Sequence, residues 1–284
     1  SFKSLRWCER LPYGARKSLF HGAERALFDP FFRMLLREST RRLGLSLPRQ
    51  VISQWWYSPQ RILGLFEPWF CRSPADWPDQ VRLTGFPMYL PAAGTRPPSA
   101  GLVRFLEEGA PPVVFNPGTE TAHTEAFFVA ALQVARRLGI RAVFVSRYAE
   151  QLPALPGSVW HESYVPLPWL LPRSSALVHR GGIGTIALAI QAGTPQLILP
   201  GWTDQLDNGR RLARLGCGLV WEGAQEVEPL VQNITRLLNE PNIRAACTRV
   251  QGQLQPGCAR AADAIDEICR EARDPYAAAL ERSA

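Results

Sequence analysis

Two stretches of this sequence carry residue types and spacings that could do chemistry. The first is His179-Arg180-Gly181-Gly182-Ile183-Gly184-Thr185, which runs directly into the apolar stretch Ile186 to Ala192. Glycines at a strand-to-helix turn let backbone N–H groups come close to an anion, and the helix N-terminus adds partial positive charge. Thr185 adds a hydroxyl donor, and His179 stands where its ring could reach a terminal phosphate. The pattern reads as a phosphate cradle, with a ligand-free tight turn as the plain alternative. The second stretch, Pro200 to Asn208, sets Asp204 beside Gln205. A carboxylate next to a carboxamide offers acceptors and donors to the vicinal hydroxyls of a polyhydroxylated ligand. The alternative for Asp204 is the N-cap of a helix over 205–215. A rival motif overlaps both stretches. Gly182-x-Gly184-x-x-Ala187 fits a dinucleotide fingerprint, with Asp204 about 20 residues downstream where a ribose acid is expected. That fingerprint normally opens the first strand–helix unit of its domain, and at least two strand candidates precede this one. An NAD-dependent oxidoreductase is therefore the remote alternative.

The elements that must position these residues are legible as a pattern. Apolar runs at Pro112 to Asn116, Ala142 to Ser146, Val159 to Val165, Ala176 to His179, Gln196 to Leu199 and Gly218 to Trp221 read as strands. Helical patterns alternate with most of them, at Thr124 to Leu138, Gly184 to Ala192, Gln205 to Leu215, 227–239 and 259–272. Continuous apolar strands alternating with helices predict an α/β fold, a Rossmann-like parallel sheet covered on both faces. Ligands of such sheets sit beyond the carboxyl ends of the strands, where both stretches fall. The first ninety residues read as helices and loops, a mostly helical partial domain. Phe28, Phe31, Phe32, Leu35, Leu36 and Leu43 recur at helical spacing with Arg33, Arg37, Arg41 and Arg42 between them. This amphipathic basic helix is expected to pack on a neighbouring layer, with a membrane surface as the alternative. The linker-like Pro91 to Ser99 divides the chain into 1–92, 99–258 and a C-terminal helix and tail, 259–284.

The chain has 284 residues, 46% of them hydrophobic and 20% charged, which excludes disordered and collagen-like classes. Its net charge of +7 resides in the first fifty residues, and the remainder is neutral overall. A nucleic-acid groove would need that charge on the functional face, so no nucleic-acid partner is expected. Six dispersed cysteines without a C-x-x-C read as free thiols in a reducing cytoplasm. The uncharged stretch 181–203 is interrupted by Gly193, Pro195 and Pro200 and reads as buried core. The chain starts Ser-Phe-Lys-Ser without a signal-peptide pattern, as a fragment or a processed product would.

The run from Tyr164-Val165-Pro166 through Leu171-Pro172-Arg173-Ser174 and His179-Arg180-Gly181-Gly182-x-Gly184-Thr185 to Ala192-Gly193-x-Pro195-Gln196 and Asp204-Gln205-x-Asp207-Asn208 resembles the donor-binding signature of the nucleotide-sugar glycosyltransferases. That family pairs two facing Rossmann-like domains in the GT-B fold. The resemblance covers 99–272 and, more loosely, 1–90. Within the family, Gln54-Trp55, Ser58-Pro59-Gln60, Trp69-Phe70, Asp76-Trp77-Pro78, Thr84-Gly85-Phe86-Pro87 and Arg214-Leu215-Gly216-Cys217-Gly218 are most similar to the bacterial rhamnosyltransferase subunit that builds rhamnolipids.

The resemblance implies a hexosyl transfer from a UDP- or dTDP-sugar to a hydroxyl acceptor, with inversion. It implies His179 on the diphosphate, with Gly181, Gly182, Gly184 and Thr185 forming the phosphate cradle. Gly118 and Thr119 would form a second phosphate-side loop, Tyr164 and Val165 would contact the base, and Asp204 and Gln205 would hold the sugar hydroxyls. No cofactor and no metal are implied, and no Asp-x-Asp occurs in the sequence. Residues 1–90 resemble only the later part of the family's acceptor domain, so the general base is expected outside this chain. None of His21, His123 and His161 stands in a context that marks it as the base. The implied partners are the nucleotide sugar, a lipid-like hydroxyl acceptor and a chain supplying the N-terminal half. The alternative from another class is a non-catalytic nucleotide-sugar-binding module. The expected location is cytoplasmic, extending to peripheral contact with the inner membrane surface.

Overall fold

Strand alternation in the second half of the chain feeds two hydrophobic cores rather than one. In a computed structural model that describes residues 11–72, 77–88, 97–118, 124–201, 203–224 and 226–281, six strands form one sheet: β3 (Val113–Asn116), β4 (Ala142–Val145), β5 (Val159–Glu162), β6 (Ala176–His179), β7 (Gln196–Ile198) and β8 (Gly218–Val220). Val113 and Phe115, Ala142 and Phe144, and Ala176 and Val178 enter one core, with Phe127, Phe128, Ile234 and Leu237. The intervening Val114, Val143 and Leu177 enter the other, with Leu102, Phe105, Leu170 and Leu171. Successive side chains of a strand point to opposite faces, so a strand that is apolar throughout must be covered twice. The covering helices are α3 (Ala100–Glu107), α4 (Glu125–Leu138), α5 (Leu167–Leu170), α6 (Ile183–Gln191), α7 (Thr203–Leu215), α8 (Val227–Asn239) and α9 (Pro241–Gln251).

All five neighbouring pairs run parallel, in the order β5-β4-β3-β6-β7-β8. Counted from the first strand of this sheet, that is the 3-2-1-4-5-6 order of a doubly wound fold. The α/β expectation holds, and the six strands and most helices lie within a few residues of their expected bounds. The C-terminal helix α10 (Gly257–Glu281) is longer than the expected 259–272, and α3, α5 and α9 had no counterpart in the pattern. Local signals set the element ends. Ser99 accepts a hydrogen bond from the Leu102 N–H (3.2 Å) as the N-cap of α3. Gly139 ends α4 at φ 61°, a left-handed conformation that favours glycine.

The chain divides into two compact units, one of Ser1–Gly64, Asp76–Arg82 and Asp266–Ala284, the other of Leu65–Ala75 and Leu83–Ile265. This differs from a break at the proline-rich 91–99, of which 89–96 lie outside the described residues. Packing explains the difference. Phe70 and Phe86 belong to the main core of the larger unit. The buried Glu67 carboxylate accepts from the Gln255 N–H at 3.0 Å, with the Arg260 guanidinium 3.9 Å away.

In the smaller unit α1 (Tyr13–Ala23) continues through a π turn (Glu24–Phe28) into α2 (Asp29–Arg42), and β1 (Ile62–Gly64) pairs with β2 (Val81–Leu83). Two carboxylates of the helices hold the start of a second π turn (Val51–Trp55). Asp29 accepts from the N–H groups of Gln50 and Val51 at 2.9 and 3.1 Å. Glu24 accepts from the N–H groups of Ile52 and Ser53 at 2.9 and 2.7 Å and from the Ser53 hydroxyl at 2.6 Å. The Gln50 N–H donor holds the Asp29 carboxyl below its ordinary range. Burial pushes the Glu24 carboxyl up, but hydrogen bonds from Ser53, His21 and Ile52 outweigh it and the net shift is downward. On and beside α2, Phe28, Phe31, Leu35 and Leu43 are exposed and Phe32 and Leu36 half-buried, and the side that meets residues 50 to 53 carries Asp29.

Candidate functional site

Strand order reverses direction between β3 and β6, which leave the sheet centre towards opposite edges. At such a point the two outgoing loops diverge and open a crevice beyond the strand ends. Asn116 and His179 are register partners at those ends. The loops that follow, after Asn116 and after His179, are the two expected to hold phosphate.

The glycines of these loops fall into two physical groups. Gly181 adopts φ +94°, and a Cβ there would stand 2.7 Å from Ile198 Cγ2, so only glycine fits. Gly182 and Gly184 are different: a Cβ on either would meet nothing within 4 Å. Packing therefore does not require glycine there, and what its absence of a side chain leaves is open space at the start of α6. Gly182 is the residue before α6, Gly184 is exposed and Thr185 is half-buried in the first turn. The first N–H groups of a helix have no partner within it, and here they border that space. On the neighbouring loop Gly118 is exposed at φ +90°, also open, with its N–H donating to Asn116 Oδ1 at 2.9 Å. Thr119 and His123 lie outside the described residues.

His179 is placed otherwise than the resemblance implies. Its ring is 1% exposed. Nδ1 accepts from the Gly181 N–H at 3.2 Å, and Nε2 lies 3.0 Å from the Oε1 of Gln196, itself fully buried. An acceptor role at Nδ1 leaves the proton on Nε2, which donates to Gln196. Burial pushes the pKa down to about 4, with the Gln196 hydrogen bond opposing, so the ring is neutral near pH 7. Both nitrogens are engaged inside the protein and neither is presented to the crevice. The cation at the loop is Arg180. It is half-buried, its Nη1 stands 3.9 Å from where a Cβ on Gly201 would be, and its guanidinium lies 5.5 Å from the Phe127 ring centroid. The signal for it was present in the sequence, since it is the only charge within the glycine-rich turn.

The second stretch closes on the first. Gln205 Oε1 accepts from the Gly201 N–H at 2.8 Å, which ties the loop after β7 to α7. Asn208 Nδ2 donates to the Gly181 carbonyl at 3.1 Å, which holds the left-handed turn. Asp207 pairs with Arg211 at 2.7 Å. Asp204 is exposed in the first turn of α7 rather than at the N-cap, because the helix begins at Thr203. The structure thus brings Gly118, Gly182, Gly184, Thr185 and Arg180 to one end of the sheet, with Asp204 in the first turn of the adjoining α7 and Gln205 and Asn208 as braces of the loops. Tyr164 is 45% exposed just beyond β5 and offers a ring face, whereas the Val165 side chain is buried in the second core. His161 lies 2.8 Å from the Ser146 carbonyl through Nε2, and His21 3.4 Å from Glu24. The fingerprint Gly182-x-Gly184-x-x-Ala187 follows the fourth strand of the sheet, not the first. Among the described residues no group of three His, Cys, Asp or Glu side chains could hold a metal ion.

Comparison with known proteins agrees with this architecture. Residues 138–263 match the family described as Erythromycin biosynthesis protein CIII-like, C-terminal domain. The O-mycaminosyltylonolide 6-deoxyallosyltransferase of Streptomyces fradiae is 36% identical over 159 residues, which are 56% of this chain and 37% of that one. Among solved structures, the glycotransferase of kitacinnamycin aligns with TM-score 0.70 at 20% identity, over 90% of this chain and 66% of its own. The spinosyn rhamnosyltransferase SpnG complexed with thymidine diphosphate aligns with TM-score 0.56 at 25% identity, over 78% and 59%. This chain spans well under half the length of the curated relative. The chain thus shares the fold of these glycosyltransferase structures, and its residues 138–263 are similar to the EryCIII-like C-terminal domain.

Proposed function

We propose that this chain is the donor-binding part of a glycosyltransferase that moves a hexosyl group from a UDP- or dTDP-sugar to a hydroxyl acceptor, with inversion and without a metal ion. One observation carries the reading: glycines whose Cβ positions are empty, Gly118, Gly182 and Gly184, meet at the switch point of a doubly wound sheet. The thymidine diphosphate held by SpnG supports a nucleoside diphosphate as the ligand of this crevice.

In this reading the diphosphate rests on the N–H groups at the start of α6, and Thr185 adds a hydroxyl. Arg180 supplies the positive charge, and His179 positions the turn from beneath. Tyr164 stacks on the base, and Asp204 accepts from the sugar hydroxyls. When the acceptor oxygen attacks the anomeric carbon, the diphosphate departs with a growing negative charge. Preorganised donors and a cation stabilise such charge more in the departing state than in the intact donor. The acceptor's proton goes to a general base, which we assign to a portion supplied from beyond these 284 residues, by a longer form of the polypeptide or by a partner chain. The exposed aromatic residues Trp55, Trp56 and Tyr57 and the likeness of 54–87 to the rhamnolipid-building enzyme support a lipid-like acceptor. A cytoplasmic location accords with a nucleotide-sugar donor. A second reading, a binding module that needs a partner for turnover, is favoured by the short share of the relatives that this chain spans.

Calorimetry in EDTA with UDP, dTDP and NAD tests the donor site. Saturable binding of UDP or dTDP is expected, and a magnesium requirement or tighter binding of NAD would overturn it. Glycosyl transfer by the chain alone is expected to be undetectable or very slow, and to return when the acceptor half is added. Rapid transfer by the isolated chain would place the base within it.

A further inference from the structure

Two thiols of the larger unit meet inside it although they stand thirty positions apart in the chain. Cys217 comes just before β8 and Cys247 lies in α9, and both belong to the main core, at 1% and 2% exposure. Reciprocal contacts hold the two sulfurs. Cys217 Sγ lies 3.6 Å from the carbonyl of Ala246, the residue before Cys247, and Cys247 Sγ lies 3.4 Å from the carbonyl of Cys217 itself. Each sulfur thus sits against the backbone beside the other cysteine. The sulfurs of Cys71 and Cys258 instead meet the carbonyls of Arg72 and Met88.

Core packing accounts for a buried cysteine as a small apolar side chain, but not for the difference in acidity between these two. A hydrogen bond from the Cys247 thiol holds Cys217 below the ordinary thiol range, against the opposing effect of burial and with help from the Arg249 guanidinium. The same hydrogen bond, with burial, pushes Cys247 up. Arg249 is anchored close by, donating to the Leu215 carbonyl at 3.1 Å. Cys217 is therefore the nucleophile of the pair and Cys247 its proton-bearing neighbour.

We propose that Cys217 and Cys247 form a redox-modification site, which a hydroperoxide closes to a disulfide that staples the start of β8 to α9. The Cys217 thiolate attacks one peroxide oxygen: an S–O bond forms, the O–O bond breaks, and the departing hydroxide takes up the proton that Cys217 released, leaving as water. The Cys247 thiol then gives up its proton and attacks the Cys217 sulfur. The S–S bond forms, the S–O bond breaks, and a second water leaves. Two thiols are oxidised and one peroxide is reduced to two waters. Both sulfurs are buried, so the reagent enters when α9 opens locally, and the modification is slow. Cys217 stands at the amino end of β8, whereas the proposed donor crevice lies beyond the carboxyl ends of these parallel strands. The site does not depend on the donor reading.

Peptide mapping of the 284-residue chain tests the proposal. The reduced chain is treated with hydrogen peroxide, quenched with catalase, denatured in N-ethylmaleimide and digested without reductant. A linked pair of peptides carrying Cys217 and Cys247 is expected, with Cys8, Cys71, Cys258 and Cys269 outside any link, and dithiothreitol should release it. The same treatment in urea should scatter links over several pairs. The oxidised chain should unfold at a higher denaturant midpoint than the reduced one and bind dTDP equally well. C247S should leave Cys217 as a sulfenic acid that dimedone labels on unfolding, whereas C217S should leave Cys247 unlabelled; if either variant fails to fold, the map of the unsubstituted chain decides. The proposal is overturned if the folded chain gives no Cys217–Cys247 link, if its links are as scattered as in urea, or if the oxidised chain unfolds at the same or a lower midpoint. Absence of dTDP binding in both forms would count against the donor reading and leave the peptide map to judge this one.

Discussion

The imidazole of His179 donates from Nε2 to Oε1 of Gln196 at 3.0 Å, between two side chains that are both buried. With Nδ1 accepting from the Gly181 N–H, the ring is a spacer under the glycine turn. A consequence is a defined pH dependence of stability. The folded-state pKa is lowered to about 4 from 6.5, so the unfolded chain binds the proton more readily. Stability from this group is complete above pH 6.5, declines as pH falls towards 4, and is level below that. The full effect is about 3 kcal/mol. Denaturant titrations from pH 4 to 7 should show the slope, and H179Q should flatten it. An unchanged slope in H179Q would assign the effect to other groups.

Gly184 separates space left for a ligand from space needed by packing. Alanine there meets nothing in the protein and replaces glycine near the start of a helix, so G184A should raise stability by about 0.5 to 1 kcal/mol. The same methyl stands in the proposed phosphate cradle, so dTDP or UDP affinity should fall. Thermal denaturation and calorimetry on one sample check both signs. A variant that is more stable and binds as well as the parent would remove Gly184 from the site.

Arg180 and His179 are neighbours with opposite expected phenotypes. R180A should weaken dTDP or UDP by about 1.5 to 3 kcal/mol, the range for hydrogen bonds to charged groups, and R180K should recover part of that loss. Thymidine or uridine, without phosphates, should bind both variants like the parent. Equal losses for nucleoside and nucleotide would mean that the substitution disturbs the whole loop.

Asp204 lies exposed in the first turn of α7, and its proposed partner is the sugar. D204A should spare free dTDP or UDP and weaken only the intact nucleotide sugar. Removal of a first-turn carboxylate also costs the helix about 0.3 to 1 kcal/mol through its dipole, which thermal denaturation measures separately. If both ligands lose equally, Asp204 serves the helix rather than the sugar.

Much of the larger unit follows from local pattern. Ala176, Leu177 and Val178 are apolar at successive positions, which a strand covered on both faces satisfies, and β6 runs from Ala176 to His179. The glycine-rich turn and the helix after it were legible for the same reason: backbone geometry at Gly181 and capping of α6 are set by near neighbours in the chain. Residue order could not decide that the His179 ring turns inward. That placement depends on Gln196, seventeen residues on, which is brought beside His179 only when β7 pairs with β6 and which offers the buried acceptor that a neutral imidazole can use. The same limit applies to α2. Its spacing of Phe31, Phe32, Leu35 and Leu36 announced an amphipathic helix, but the carboxylates of Glu24 and Asp29 seek the N–H groups of residues 50 to 53 and rotate the helix about them. Buried charge must be met by hydrogen bonds, and in this segment that demand, set by tertiary contacts, decided which side of the helix meets residues 50 to 53.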